Sequence, residues 1–134
     1  MAETRKISGI IFSDLGTAAS FMSLDWVQKI LREELGFLPY PATLNLRLES
    51  EQEILQWEEI RKQIRGIDLP PADASFCRAR LFPVEIEGKV NGAVLLPEIQ
   101  EYPKNKIEVI APVHVKKTLD VHDGQLLTLT FAIS

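Results

Sequence analysis

At 134 residues, with 46% apolar and 25% charged side chains, the chain has the balance of one ordinary globular domain rather than a disordered segment. Its net charge of −4 argues against a nucleic-acid partner, because phosphate backbones are normally met by an excess of Lys and Arg. The one cysteine, Cys77, leaves no possibility of an internal disulfide and reads as a small core residue.

The first elements follow from local chemistry. Lys6 to Phe12 is rich in β-formers and reads as a strand, with Gly9 as a bulge. Its apolar part, Gly9 to Phe12, is too short for a signal peptide, and no stretch approaches the ~18–20 apolar residues of a membrane span. Ser13 to Ser20 is small and polar, hence a loop. Ser23 is placed to cap a helix running to Leu35, with Asp25 in its first turn and Val27, Ile30, Leu31 and Leu35 on one stripe. Gly36 stops it, and Pro39 and Pro41 hold the next segment extended. Ala42 to Leu48 alternates: Leu44, Leu46 and Leu48 face one way, Thr43, Asn45 and Arg47 the other.

Ser50 and Glu53 form a capping box for a second helix from Glu51 to Arg65, with Ile54, Trp57, Ile60 (or the stem of Arg61) and Ile64 inside and its charges in solvent. Gly66 ends this helix, and Leu69-Pro70-Pro71 reads as a linker. Ser75 to Glu87 is a long strand interrupted at Pro83; Glu87-Gly88-Lys89 turns it into a returning strand, Lys89 to Leu96. A loop from Pro97 to Lys106, a strand from Ile107 to Ala111, a short helix within Pro112 to Leu119, a turn from Asp120 to Gly124 and a last strand from Gln125 to Ile133 complete the chain. Five to seven strands with two or three inserted helices, and no β-α-β-α alternation, point to a mainly β (α+β) fold. A small closed barrel, which removes exposed strand edges, is the expected architecture.

The strong catalytic motifs are absent: no phosphate-loop signature, no G-x-G-x-x-G, no H-E-x-x-H and no paired cysteines. His114 and His122 read as surface histidines. Thr43 and Asn45 are neutral oxygen donors about 6–7 Å apart on one strand face. By composition they are polar residues facing solvent, although such a pair also suits a hydrated Mg²⁺ completed by phosphate oxygens. Glu108, flanked by Ile107 and Val109, belongs either to an outer strand face or to a site.

Several blocks, in order along nearly the whole chain, resemble the CTP-dependent riboflavin kinase family of archaea. They are Gly9-x-Ile11-x-Ser13-x-Leu15-Gly16; Phe21; Leu35-Gly36-Phe37-x-Pro39-Tyr40-Pro41-x-Thr43-Leu44-Asn45; Ile107-Glu108-Val109-Ile110-Ala111-Pro112; and Asp123-Gly124. The resemblance implies a six-stranded cradle-loop barrel spanning residues 1–134 as one domain. It implies transfer of the γ-phosphoryl of CTP to the ribityl 5′-hydroxyl of riboflavin, giving FMN and CDP. Leu15, Gly16, Thr17, Ala18, Ala19 and Ser20, with Val113, His114, Val115 and Lys116, would then form the nucleotide pocket. Thr43 and Asn45 would hold Mg²⁺, and Gln100 and Glu108 would contact the flavin, Glu108 also orienting the hydroxyl or taking its proton. The expected setting is cytoplasmic, with small-molecule partners only, as a monomer or weak homodimer.

The chain also departs from the family pattern. Asp14 and Ala18 stand where the family's loop has glycine, and they tolerate a positive φ and a close backbone approach to phosphate less well than glycine does. Thr17 replaces an acidic residue, Ala42 a glycine, Lys116 an arginine with its bidentate fork, and Gln100 a threonine. Two functions follow as expectations: a kinase with an altered donor loop, and a barrel that binds flavin or nucleotide without catalysis.

Overall fold

Alternation of apolar and polar residues carries most of this fold. The computed structural model describes residues 3–13, 22, 24–69 and 78–133. Among them are seven strands: β1 (Thr4–Phe12), β2 (Leu44–Arg47), β3 (Ile67–Leu69), β4 (Ala79–Ile86), β5 (Val90–Pro97), β6 (Lys106–Ile110) and β7 (Leu126–Ala132). Three helices accompany them: α1 (Asp25–Leu35), α2 (Glu51–Gln63) and α3 (Val115–Thr118). The pairing order is β3-β4-β5-β6-β2-β1-β7, and a further β4–β7 pairing closes a six-stranded antiparallel barrel with β3 outside the ring. This is the mainly β, closed six-stranded barrel expected from the sequence. No helix among the described residues is long and apolar enough to cross a membrane.

Inside the barrel one face of each of the six ring strands gathers: Ile7 and Ile11, Leu44 and Leu46, Val84 and Ile86, Val94, Ile107 and Val109, Leu127 and Leu129. Trp57 and Ile60 of α2 join this cluster, and the Trp57 ring packs against Phe82 and Phe131 at 5.6 and 5.5 Å. The outer wall carries a second cluster. Val27 and Leu31 of α1 pack with Met22 on Leu81, Ala93, Leu95 and Ile110. Each such buried side chain contributes roughly 1.5–3 kcal/mol relative to exposure.

The helices stop where their caps say. Gly36 takes φ 77° and its N–H donates to the Arg32 carbonyl. Ser50 Oγ accepts from the Glu53 N–H, and Glu53 Oε1 in return accepts from the Glu49 N–H. Leu24 holds the N-cap position of α1 without a side-chain cap, and Ser23 lies outside the described residues.

Four expectations are corrected. Gly9 makes no bulge, since β1 pairs with β7 in unbroken register from Thr4 to Ile10. Its lack of a side chain serves close packing instead: a Cβ there would sit 3.0 Å from Leu46 Cβ. Pro83 does not interrupt β4; it pairs with Ala93, between the residues that meet β3 and those that meet β7, so its missing N–H is tolerated as on an edge strand. The segment before Pro70 is not all linker, because Ile67–Leu69 pairs with β4. The helix α2 ends at Gln63, two residues early, where Ile64 turns extended ahead of Gly66 at φ 76°.

Candidate functional site

Strand register brings two separated sequence blocks together. Asn45 on β2 is the direct partner of Glu108 on β6, and on its other side of Phe12 on β1. Leu44, Leu46, Ile107 and Val109 point into the core, so Asn45 and Glu108 share the outward face. Directly opposed residues on one face have Cβ atoms about 4.5–5.5 Å apart, within reach of each other. Asn45 is half-buried, and Thr43, one residue ahead of the strand, is half-buried too. Glu108 is 8% exposed, the one buried charged residue among those described.

Lys106, two residues before Glu108 on the same strand face, compensates that burial. Its Nζ lies 3.3 Å from Glu108 Oε1 and 5.7 Å from the centre of the Tyr102 ring. Arg47, the cross-strand partner of Lys106, lies 5.6 Å from the Phe12 ring and 3.3 Å from Glu49. The outer wall here therefore carries alternating charges and neutral oxygens around one buried carboxylate.

A second polar group forms where β1 and β6 end and β7 begins. Tyr40 N–H donates to the Ala111 carbonyl at 2.7 Å, tying the Pro39–Pro41 segment to the end of β6. The Tyr40 ring meets the His114 ring edge-on at 5.0 Å. His114 Nδ1 accepts from the Lys117 N–H and so caps α3; His114 is half-buried, not a surface residue, whereas His122 is exposed. Lys116 Nζ lies 2.7 Å from Asp123 Oδ1 and 3.3 Å from Ser13 Oγ, and Ser13 donates to Asp123 Oδ2. The hydrogen bond from Lys116, then that from Ser13, hold the Asp123 carboxyl below its ordinary pKa. Gly124 N–H donates to the Ile11 carbonyl, fixing this turn against β1.

Thr43, Asn45 and Glu108 thus fall near one another, and Val113, His114, Val115 and Lys116 gather beyond the end of β6. Gln100 stands apart from α3, exposed in the loop between β5 and β6 beside a cavity that also holds Trp57 and Arg61. Leu15, Gly16, Thr17, Ala18, Ala19 and Ser20, like Asp14 and Cys77, lie outside the described residues. The roles of Lys106, Ser13 and Asp123 were missed in the sequence. Lys106 was findable as the residue two before Glu108 on an alternating strand, while the Ser13–Asp123 contact joins residues 110 apart.

No group of three or more His, Cys, Asp and Glu is placed to hold a metal among the described residues. A divalent cation here would need hard neutral oxygens, and Thr43 and Asn45 supply that donor type, which suits Mg²⁺ retaining waters and phosphate oxygens.

These features define a closed antiparallel β-barrel domain with a polar wall and rim of mixed charge at the ends of β1, β2 and β6. The chain belongs to the CTP-dependent riboflavin kinase family: the family model CTP-dep_RFKase, described as domain of unknown function DUF120, matches residues 11–131. A riboflavin kinase of Aeropyrum pernix is 38% identical over 117 residues, covering 87% of each chain. Riboflavin kinases of Archaeoglobus fulgidus and Methanococcoides burtonii are 35% and 36% identical, over 92% and 89% of this chain but 53% of each relative. The chain therefore spans about half the length of these two relatives and most of the Aeropyrum one.

Proposed function

We propose that this domain transfers the γ-phosphoryl of CTP to the 5′-hydroxyl of riboflavin, yielding FMN and CDP. The observation that carries this reading is the pairing of Asn45 with Glu108 across β2 and β6, which sets a neutral oxygen donor and a buried carboxylate side by side. Family membership supports the reaction class. The Aeropyrum relative, matched over 87% of its length, supports the idea that residues 1–134 act as one catalytic unit.

In this reading Thr43 Oγ and the Asn45 amide oxygen would hold Mg²⁺, which when bound neutralises phosphate charge. Glu108 accepts a hydrogen bond from the 5′-hydroxyl and takes its proton as the new O–P bond forms and the CDP oxygen departs. Lys106 pairs with Glu108 Oε1 and keeps the carboxylate oriented toward the acceptor. Gln100 would contact the flavin. Leu15 to Ser20 with Val113, His114, Val115 and Lys116 would enclose the nucleotide, and Lys116 would turn from Asp123 toward phosphate oxygens. Phosphoryl transfer asks mainly for such positioning and charge neutralisation. The nucleotide donor makes the cytoplasm the natural setting, and the unit is proposed to act as a monomer or weak homodimer.

The test is direct. Purified protein is incubated with riboflavin and Mg²⁺, with CTP, ATP, GTP or UTP in separate reactions, and flavins are resolved by fluorescence-detected chromatography. FMN with CTP, and a loss of about 10²–10⁴-fold in kcat for Glu108→Gln in a folded variant, are the expected results. Full activity in Glu108→Gln would remove the assigned role. No FMN from any donor would favour the second reading, a barrel that binds flavin or nucleotide without catalysis, which the residues Asp14 and Ala18 in place of loop glycines favour.

A further inference from the structure

The product of the proposed reaction makes an electrostatic demand that its substrate does not. Riboflavin carries no charge at its ribityl end, whereas a phosphate monoester carries about −1.5 to −2 at pH 7. That charge has to be held beside Glu108, itself a buried carboxylate. Lys106, at 3.3 Å from Glu108 Oε1, offsets the carboxylate, and Asn45 is neutral. Once its phosphate is no longer shared with the nucleotide, the product calls for a further cation on this face.

Arg47 stands where that cation is wanted. It pairs with Lys106 across β2 and β6, one step along the strands from the Asn45–Glu108 pair and on the same outward face. The step is two residues, about 6–7 Å. The side chain leans back across it: the guanidinium lies 5.6 Å from the ring of Phe12, the residue opposite Asn45 on β1. Two cations set directly opposite each other on one sheet face are unfavourable by themselves. Glu108 matches Lys106, but Arg47 rests loosely on Glu49. Its Nε and Nη2 lie 3.3 and 3.4 Å from the Glu49 carboxylate, longer than the ~2.7–2.9 Å of a firm charge-assisted bond, and both side chains are about half exposed. Such a pair contributes little, so the guanidinium leaves it at small cost. Its planar fork matches phosphate, and the Phe12 ring restrains it beside the Asn45 row.

We propose that Arg47 is a specificity-determining residue of the acceptor site: it releases Glu49 and binds the 5′-phosphate of the flavin product, so that the site holds FMN more tightly than riboflavin. The assignment rests on the flavin-phosphorylating reading, with Glu108 at the 5′-hydroxyl. It adds to that reading how a phosphate newly bonded to the flavin is recognised, by a cation of the chain itself.

Flavin fluorescence is titrated with the full chain, for riboflavin and FMN separately, in EDTA and at constant ionic strength, so that no metal ion contributes. FMN should bind at least about tenfold more tightly than riboflavin. Arg47→Met keeps the stem over Phe12 and removes the donors. It should weaken FMN binding about tenfold and leave riboflavin within about twofold, which also shows that the variant folds. Arg47→Lys, with the charge but no fork, should fall between. Glu49→Gln frees the guanidinium and should tighten FMN alone, a gain that misfolding cannot produce. The proposal is overturned if the unaltered chain binds FMN no more tightly than riboflavin, or if neither Arg47→Met nor Glu49→Gln changes the FMN-to-riboflavin ratio. In both cases riboflavin binding stands, and with it the acceptor of the proposed reaction. A folded chain that binds neither flavin removes this assignment and the flavin-kinase reading together.

Discussion

At the residue scale, Asp123 links the rim to stability. Lys116 and Ser13 both donate to its carboxylate and lower its pKa in the folded state. A carboxyl with a depressed folded pKa contributes stability above its unfolded value and loses it as pH falls through the folded one. The unaltered chain should therefore be more stable than Asp123→Asn at neutral pH, and the gap should close as pH drops below about 4. Urea unfolding across pH 2–7 measures this. Added salt should shrink the gap as well, because the pair is solvent-accessible. A gap independent of pH would mean that the ion pair contributes nothing in solution.

Glycine shows where single residues were and were not legible. Gly36 announced a helix stop, since a left-handed C-cap is a local demand. Gly92 announced nothing, because its constraint comes from another strand: a Cβ there would lie 2.5 Å from the Ile110 carbonyl and 2.9 Å from Ile86 Cδ1. Gly92→Ala should therefore destabilise the fold by about 1–3 kcal/mol through backbone displacement at β5 and β6. Denaturant midpoints would register this, and an unchanged midpoint would mean the strands separate freely there. Glu108 was legible only as a choice between outer face and site. The pairing with Asn45 and Lys106 puts it on the outer face, yet buried.

At the element scale, the helices were readable because caps and stripes are local in sequence. Ser50 and Glu53 fixed the start of α2, and Trp57 and Ile60 lie on its buried face as the spacing required. The spacing offered Ile60 or the Arg61 stem for the inner side, and both lie there, Ile60 buried and Arg61 half-buried against Trp57. The strand β3 was missed because three residues between Gly66 and Pro70 carry too little pattern to outweigh the turn signals on either side. Pro83 misled for the opposite reason: it is a strong local signal, but a gap in pairing on one edge of β4 makes it harmless. The weight of α2 on the fold can be measured. Trp57 contacts Phe82 and Phe131 inside the barrel, so Trp57→Ala should cost about 3–5 kcal/mol, while Leu55→Ala, at an exposed position, should cost well under 1.

At the scale of the whole molecule, closure is the property that sequence cannot state, because it depends on which two strands meet last. Here they are β4 and β7, joined by Glu85 with Thr130 and Ile86 with Leu129 alone, whereas β1 and β7 pair over seven positions. The seam continues past the end of β4 by a different device. Glu87 N–H donates to the Thr128 carbonyl at 2.9 Å, and the Thr128 N–H donates to the Glu87 carboxylate at 2.7 Å. A side-chain oxygen thus takes the place of a ladder carbonyl at the point where β4 turns away, with Glu87 at φ 52° and Gly88 at φ 65°. Glu87→Ala should remove that acceptor and lower the local opening free energy by about 1–3 kcal/mol. Amide exchange at Thr128 should then rise by roughly tenfold for each 1.4 kcal/mol lost, while Ile7 and Leu129, deeper in the β1–β7 ladder, stay protected. Glu87→Gln retains an acceptor oxygen and should keep Thr128 slow. If Thr128 exchanges equally slowly in Glu87→Ala, the two-residue pairing of β4 with β7 closes the barrel unaided, and the carboxylate is a surface ornament of the turn.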